Sequence, residues 1–203
     1  MSRQRAPDAS VRRLRALLPP AGTDEPRIPP ARLGDLRPLP RVVAAITGRI
    51  TGTGPLNIFT TLGQHPRLFR AWLRYSARLM PFGSLPRRDT ELVILRVAWQ
   101  CRSAYEWNQH VALALQVGLT QAEVAGAAEG PSAIIFTARQ RSLLAAIDEL
   151  LAERALSDVT WSAVRAILDD RQAIELCLLV GHYQGLASAV GGLGIQVEER
   201  SNS

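Results

Sequence analysis

The chain has no lysine. All 24 of its basic residues are arginine, set against 18 acids, for a net charge of +6. An arginine-only basic set reads as codon bias in a GC-rich genome rather than as selection for guanidinium chemistry. The arginines are scattered, and clusters such as Arg12, Arg13 and Arg15 carry no interleaved aromatics. Nucleic-acid binding is therefore not expected in spite of the charge. Cysteine is scarce: Cys101 and Cys177 lie far apart and form no Cys-x-x-Cys. That excludes a disulfide framework. Glu106 and His110 offer two metal ligands at helical spacing, but no third ligand accompanies them. No G-x-S-x-G, P-loop or dinucleotide fingerprint is present. Long apolar runs are also missing. The longest candidate, residues 174–197, is interrupted by Glu175, Gly181, His182, Gln184 and Gly185, so no membrane span is expected. The first residues lack the apolar core of a secretory signal, and a cytoplasmic location is the default expectation.

What is present is a large apolar fraction. Hydrophobic residues make up 47% of 203 positions, enough for one domain with a full core, with or without an arm. Residues 1–40 are rich in Arg and Pro and predict an arm with one short helix near Val11–Leu18. From residue 41 to 203 the apolar spacing is helical, and no stretch alternates like a strand. Asn57 is placed to cap a short helix, and Pro66 and Pro86 to open longer ones. Leu92-Val93-Ile94-Leu95 is apolar all round, which predicts a central helix. Thr120 and Glu123 have capping-box spacing, and Ser157 and Asp169 or Asp170 are further cap candidates. The fold class read from this pattern is all-α, a compact helical bundle with short connections. Its apolar, helix-dense surface predicts a homo-oligomer, between dimer and hexamer.

Reactive side chains concentrate between Glu91 and His110, in E-L-V-I-L-R-V-A-W-Q-C-R-S-A-Y-E-W-N-Q-H. A buried helix avoids such groups, since an unpaired polar group costs about 2–7 kcal/mol on transfer scales. The stretch is thus either a helix with a wet face or the wall of a site. Glu106 and His110 stand four residues apart, on one helix face, with Ser103 a turn earlier. Cys101 lies nine residues before His110, about half a rotation away on a straight helix. It joins them only if the helix breaks at 101–103.

These residues resemble the active-site region of the carboxymuconolactone decarboxylase and alkyl hydroperoxidase D superfamily. In the peroxidase branch the pattern is a Glu followed by Cys-x-x-Cys-x-x-x-His. Aligned on His110, Glu91 takes the family Glu, Ser103 and Glu106 take the two Cys positions, and Tyr105 matches a frequent Tyr. Both peroxidatic cysteines are therefore replaced. Cys101-x-x-x-Tyr105-Glu106-Trp107-x-x-His110 looks instead like the decarboxylase-like branch, as do P-L-N-I-F with Asn57, H-P-R-L-F at 65–69 and V-G-H-Y at 180–183. The likeness covers about residues 50–198. It implies an alkyl hydroperoxidase D-like helical bundle, trimeric or hexameric, working without metal or organic cofactor.

Taken singly, each residue also has a plain structural role. Glu91 can complement a helix dipole, Cys101 can be an inert buried thiol, and Tyr105 and Trp107 can simply pack. Arg96 needs either a carboxylate partner or a substrate acid. Taken together, they support three readings. The first is a cofactor-independent lyase-type enzyme on a small carboxylated or lactone-like metabolite. In it Glu106 and His110 are acid and base, Glu91 tunes His110, and Arg96 holds the substrate carboxylate. Tyr105, Trp107, Ser103, Asn57 and His182 would shape the substrate site, with Tyr183 beside His182. The second is a thiol peroxidase using Cys101. The third is a non-catalytic helical assembly protein on the same scaffold.

Overall fold

The computed structural model describes residues 9–19, 25–51 and 54–198. Among them the chain forms ten α-helices, a short 3-10 turn at Leu33–Asp35 and no strand, so the fold is all-α. The chain divides into two compact units. One comprises the described residues 25–51, 54–76 and 189–198; the other comprises 9–19 and 77–188.

Residue 40, where the composition suggested an arm would end, is not a boundary. Helix α1 (Ala9–Ala16) belongs to the second unit. Leu14 is buried in that unit's core, and its carbonyl accepts a 2.8 Å hydrogen bond from Trp107 Nε1. Proline content masked a short apolar stripe at Val11, Leu14 and Leu18, all three packed in this core. Residues 1–8, 20–24 and 52–53, including part of the expected arm and of the T-G-T-G-P turn, lie outside the described residues.

The first unit holds α2 (Pro38–Thr51), α3 (Asn57–Leu62) and most of α4 (Pro66–Leu79). Phe59, Phe69 and Trp72 pack there with ring centroids 5.8–6.2 Å apart. Asn57 is not a cap: Leu56 occupies the cap position, and no side chain caps α3. The Asn57 amide nitrogen donates instead to the Gln196 carbonyl, and its backbone N–H to Glu198.

The second unit is built around α5 (Arg87–Gln100), with ten of its residues buried. It packs on α6 (Ala104–Gln116), α7 (Gln121–Glu129) and α8 (Ala138–Glu153), and α8 packs on α9 (Asp158–Arg165). Leu92, Val93, Ile94 and Leu95 are all essentially buried, as the all-round apolar run predicts. Each such side chain contributes roughly 1.5–3 kcal/mol. Helix α10 (Asp170–Leu193) starts directly after Asp169, one of the two cap candidates. It corrects a sequence expectation, being long and apolar enough, by length and composition alone, to cross a membrane. Its Ala173, Leu176, Leu179, Val180 and Tyr183 are buried in the core of the second unit.

Helix starts in this unit follow their side-chain caps. Thr120 and Glu123 close the predicted capping box on α7. Thr137 and Gln140 close a second one on α8. The Ser157 hydroxyl accepts from Thr160 N–H on α9, and Asp169 Oδ1 from Gln172 N–H on α10. Each such cap stabilises its helix by about 1 kcal/mol. The exception is α6.

Candidate active site

Helix α5 ends where the sequence needed it to end for Cys101 to join the other site residues. Cys101 N–H bonds to the Val97 carbonyl, Arg102 takes a left-handed backbone conformation (φ 53°), and Ser103 N–H reaches back to the Ala98 carbonyl at 2.8 Å. This is a Schellman-type closure with Arg in the position usually held by glycine. Helix α6 then starts at Ala104, with Ser103 at its cap position and Glu106 three residues on. Ser-x-x-Glu is the same local pattern that caps α7, yet here no cap forms. The closure of α5 has already taken the Ser103 N–H that a capping Glu106 would accept from.

Glu106 is consequently left over. Both of its carboxylate oxygens, and the Ser103 hydroxyl, are buried with no hydrogen-bond partner among the described residues. Burial pushes the Glu106 pKa up to about 8. The Ser103 hydroxyl opposes that weakly, its geometry falling short of a hydrogen bond. At neutral pH Glu106 is thus mostly a neutral acid with a proton to give. A buried polar group left unpaired costs about 1–3 kcal/mol, and native structures keep few of them without a use.

His110 is not bonded to Glu106, the partner its spacing suggested. Its Nδ1 lies 2.7 Å from Glu91 Oε2, and the other Glu91 oxygen accepts from Arg87 Nη2, also at 2.7 Å. Glu91 is fully buried and His110 6% exposed. A carboxylate held by a guanidinium accepts, so His110 Nδ1 is the donor. That leaves Nε2 with its lone pair, and it finds no hydrogen-bond partner among the described residues. An imidazole nitrogen with a lone pair and a carboxyl group with a proton thus share one helix face.

Tyr183 closes the group. Its ring meets His110 edge-on at 5.3 Å between centroids. Its hydroxyl is pushed well above the usual phenol range, first by burial and then by the Glu91 and Glu106 charges, against the pull of Arg87. Arg87, Glu91 and Glu106 thus act electrostatically on the phenol that meets His110. His182 packs on Tyr183 at 5.4 Å, with burial holding its imidazole pKa down.

The remaining sequence candidates fall differently. Cys101 is half-buried beside Glu106, and burial and Glu106 raise its thiol pKa while Arg154 lowers it. Tyr105 is buried at the start of α6. Trp107 does not form a pocket wall: it is wholly buried, packed against Trp99 at 5.4 Å with the rings tilted by 60°, and bonded to Leu14. Asn57 belongs to the first unit, with its amide used on Gln196. Arg96 is not a free anion holder. Its Nε and Nη2 grip Asp148 at 2.6 and 2.8 Å, and Nη1 donates to the Ala127 and Ala128 carbonyls. A buried guanidinium with a tertiary carboxylate partner is structural. Asp148→Asn should cost about 3 kcal/mol of unfolding free energy by leaving that charge unpaired. Urea denaturation measures it; a loss under about 1 kcal/mol would contradict the assignment.

Arg87 is the participant that the sequence left out of the candidate site, and Tyr183 entered it only as the neighbour of His182. Arg87 carried a signal, since it precedes Glu91 by one helical turn. Tyr183 carried none beyond its place next to His182. Among the described residues, no group of three or more His, Cys, Asp and Glu side chains could hold a metal ion.

Residues 66–149, which carry Glu91, Ser103, Glu106 and His110, match the carboxymuconolactone decarboxylase family. The matched segment supports a likeness to the carboxymuconolactone decarboxylase and alkyl hydroperoxidase D-like superfamily. No curated protein matches it. Solved structures with the superfamily fold include an alkylhydroperoxidase core, an uncharacterized peroxidase-related protein from Ralstonia eutropha JMP134. It is 20% identical, with a TM-score of 0.72 over 88% of this chain and 95% of that one. An uncharacterized peroxidase-related protein from Silicibacter sp. TM1040 is 16% identical, with a TM-score of 0.74 over 86% and 95%. The debrominase Bmp8, in complex with 2,3,4-tribromopyrrole, is also 16% identical, with a TM-score of 0.73 over 87% and 94%. At such identities the likeness shows the fold alone. The superfamily includes enzymes of different chemistry.

Proposed function

We propose that the protein is a cofactor-independent lyase-type enzyme acting on a small carboxylated or lactone-like metabolite. His110 Nε2 takes or holds a proton, and Glu106 delivers one. The observation that carries this reading is Glu106 itself: a buried, unpartnered acid with a pKa near 8, one turn from an imidazole whose other nitrogen is tied to Glu91. Two titrating groups with such different surroundings suit opposite halves of an acid–base step. In a decarboxylation the C–C bond to the leaving CO2 breaks and its electron pair enters an adjacent carbonyl-conjugated system. Glu106 then protonates the product, and His110 can return the proton to Glu106 from solvent. Proton abstraction next to a carbonyl uses the same pair in reverse.

The test is a panel of carboxylated γ-lactones and β-keto acids in D2O, followed by proton NMR. Deuterium incorporation next to the carbonyl, or CO2 release, is expected with wild type and not with His110→Ala. Turnover that survives in His110→Ala would sink the assignment.

The thiol reading draws weaker support. Burial first, and then the Glu106 charge, push the Cys101 thiol above its ordinary value, which disfavours the thiolate. Peroxide added in slight excess should consume this thiol no faster than free cysteine. Fast loss that disappears in Cys101→Ala would reverse the ranking.

A further inference from the structure

The acid–base reading leaves open what holds the substrate, because Arg96, the sequence candidate, is spent on Asp148. Two other guanidinium groups of this unit are also spent on carboxylates. Arg139 grips Asp89 and the Ile167 carbonyl, and Arg88 grips Glu123. Arg87 differs. Its Nη2 is on Glu91 Oε1, but its Nη1 is buried with no hydrogen-bond partner among the described residues. A desolvated guanidinium N–H without an acceptor costs about 1–3 kcal/mol. The other such cationic donor among the described residues, Arg15 Nε, is on α1, which carries none of the site residues.

We propose that Arg87 is the anion anchor of this site, and that the substrate is a small organic acid whose carboxylate docks on Nη1 while its reacting carbon faces His110 and Glu106. This rests on the acid–base reading of the same residues. Three observations carry it. One carboxylate, Glu91, bridges Arg87 and His110 at 2.7 Å on each side, so the guanidinium is held as a neighbour of the imidazole. Arg87, which carries the orphaned donor, and Glu106, which carries the orphaned acceptors, both act electrostatically on the Tyr183 phenol. Finally, Glu106 is uncharged at neutral pH, so a docking acid meets one neutralised carboxylate, Glu91, and no free one in this group. Two carboxylates then share one guanidinium, the protein's on Nη2 and the substrate's on Nη1.

The experiment measures binding rather than turnover. γ-Carboxy-γ-butyrolactone and its neutral methyl ester are titrated into the full chain at pH 7 by calorimetry, with wild type, Arg87→Gln, Arg87→Lys and the surface control Arg171→Gln. Wild type is expected to bind the acid and to bind the ester at least tenfold more weakly, the loss typical of one charge-assisted contact. Arg87→Gln should bring the acid down to the level of the ester and leave the ester unchanged. Arg87→Lys should fall between, and Arg171→Gln should match wild type. Equal binding of acid and ester, an Arg87→Gln variant that holds the acid as well as wild type, or no binding of the acid to wild type at millimolar concentration would each overturn the proposal. Should Arg87→Gln not fold, Arg87→Lys carries the comparison: acid affinity equal to wild type overturns it. The two readings fail separately. Turnover retained in His110→Ala removes the acid–base assignment and leaves the binding result standing, whereas binding indifferent to Arg87 removes the anchor alone.

Discussion

Glu106→Gln is expected to be more stable than wild type above pH 6, by roughly 5 kcal/mol at pH 8 and beyond. The folded protein holds the Glu106 proton up to a pKa of about 8, against a reference of 4.5. Between those values Glu106 binds more proton in the native state than in the unfolded chain, so its contribution to stability falls as pH rises, while the opposite slope from His182, lowered from 6.5, is common to both proteins. Glu106 therefore contributes most below about pH 4.5, and its contribution is gone above pH 8. At ~1.4 kcal/mol per pH unit, the whole shift amounts to that roughly 5 kcal/mol. Gln keeps the shape and cannot ionise, so the Glu106 slope disappears. Cys101 and Tyr183 are also pushed up, but from reference values of 9.0 and 10.0, so they act above this window. Urea denaturation at intervals from pH 5 to 8.5 reads the effect directly. Parallel stability curves for the two proteins would mean that Glu106 finds water or a partner, and the acid assignment would lose its basis. A stabilised but inactive variant is the expected pattern for a site that holds an uncomfortable group for use.

Removing His110 has the largest expected effect on activity. His110→Ala should lower turnover by about a hundredfold or more, the usual loss of a positioned acid–base group. Its stability should fall by about 1–3 kcal/mol, because the buried Glu91 Oε2 loses its donor while Oε1 keeps Arg87. Glu91→Gln separates positioning from proton transfer. The amide can still meet Nδ1, but it no longer fixes which ring nitrogen carries the proton. A drop of about tenfold to a hundredfold in kcat with little change in KM is expected. A Glu91→Gln variant with wild-type kcat would mean that the bond to His110 is structural only. Steady-state kinetics on whichever lactone or keto acid turns over gives both numbers.

Several elements were legible because their signals are local. Thr120 to Glu123 caps α7 through contacts inside one turn, so the pattern predicts the structure. The apolar run at 92–95 predicts a helix buried all round, and α5 is that helix. Other elements misled for equally physical reasons. Proline content at 19–40 drew attention away from Leu14, whose place in the core depends on Trp107, 93 residues away. Arg96 looked free because its partner, Asp148, is 52 residues downstream. Trp107 sits between two reactive residues in sequence but points into the core, since neighbours on a helix face different ways.

By itself, the amino-acid sequence determined that this chain is helical, where most of its helices begin, and that its reactive groups lie between Glu91 and His110. Those are consequences of spacing within a few turns. The tertiary structure alone decided which of those groups meet. Ser103 N–H closes α5 instead of receiving Glu106, so an acid that could have capped a helix is stranded. His110 turns to a carboxylate on α5, and Tyr183 arrives from α10. Each outcome is a competition for one donor or one volume between segments distant in sequence. No local pattern encodes that competition; packing resolves it.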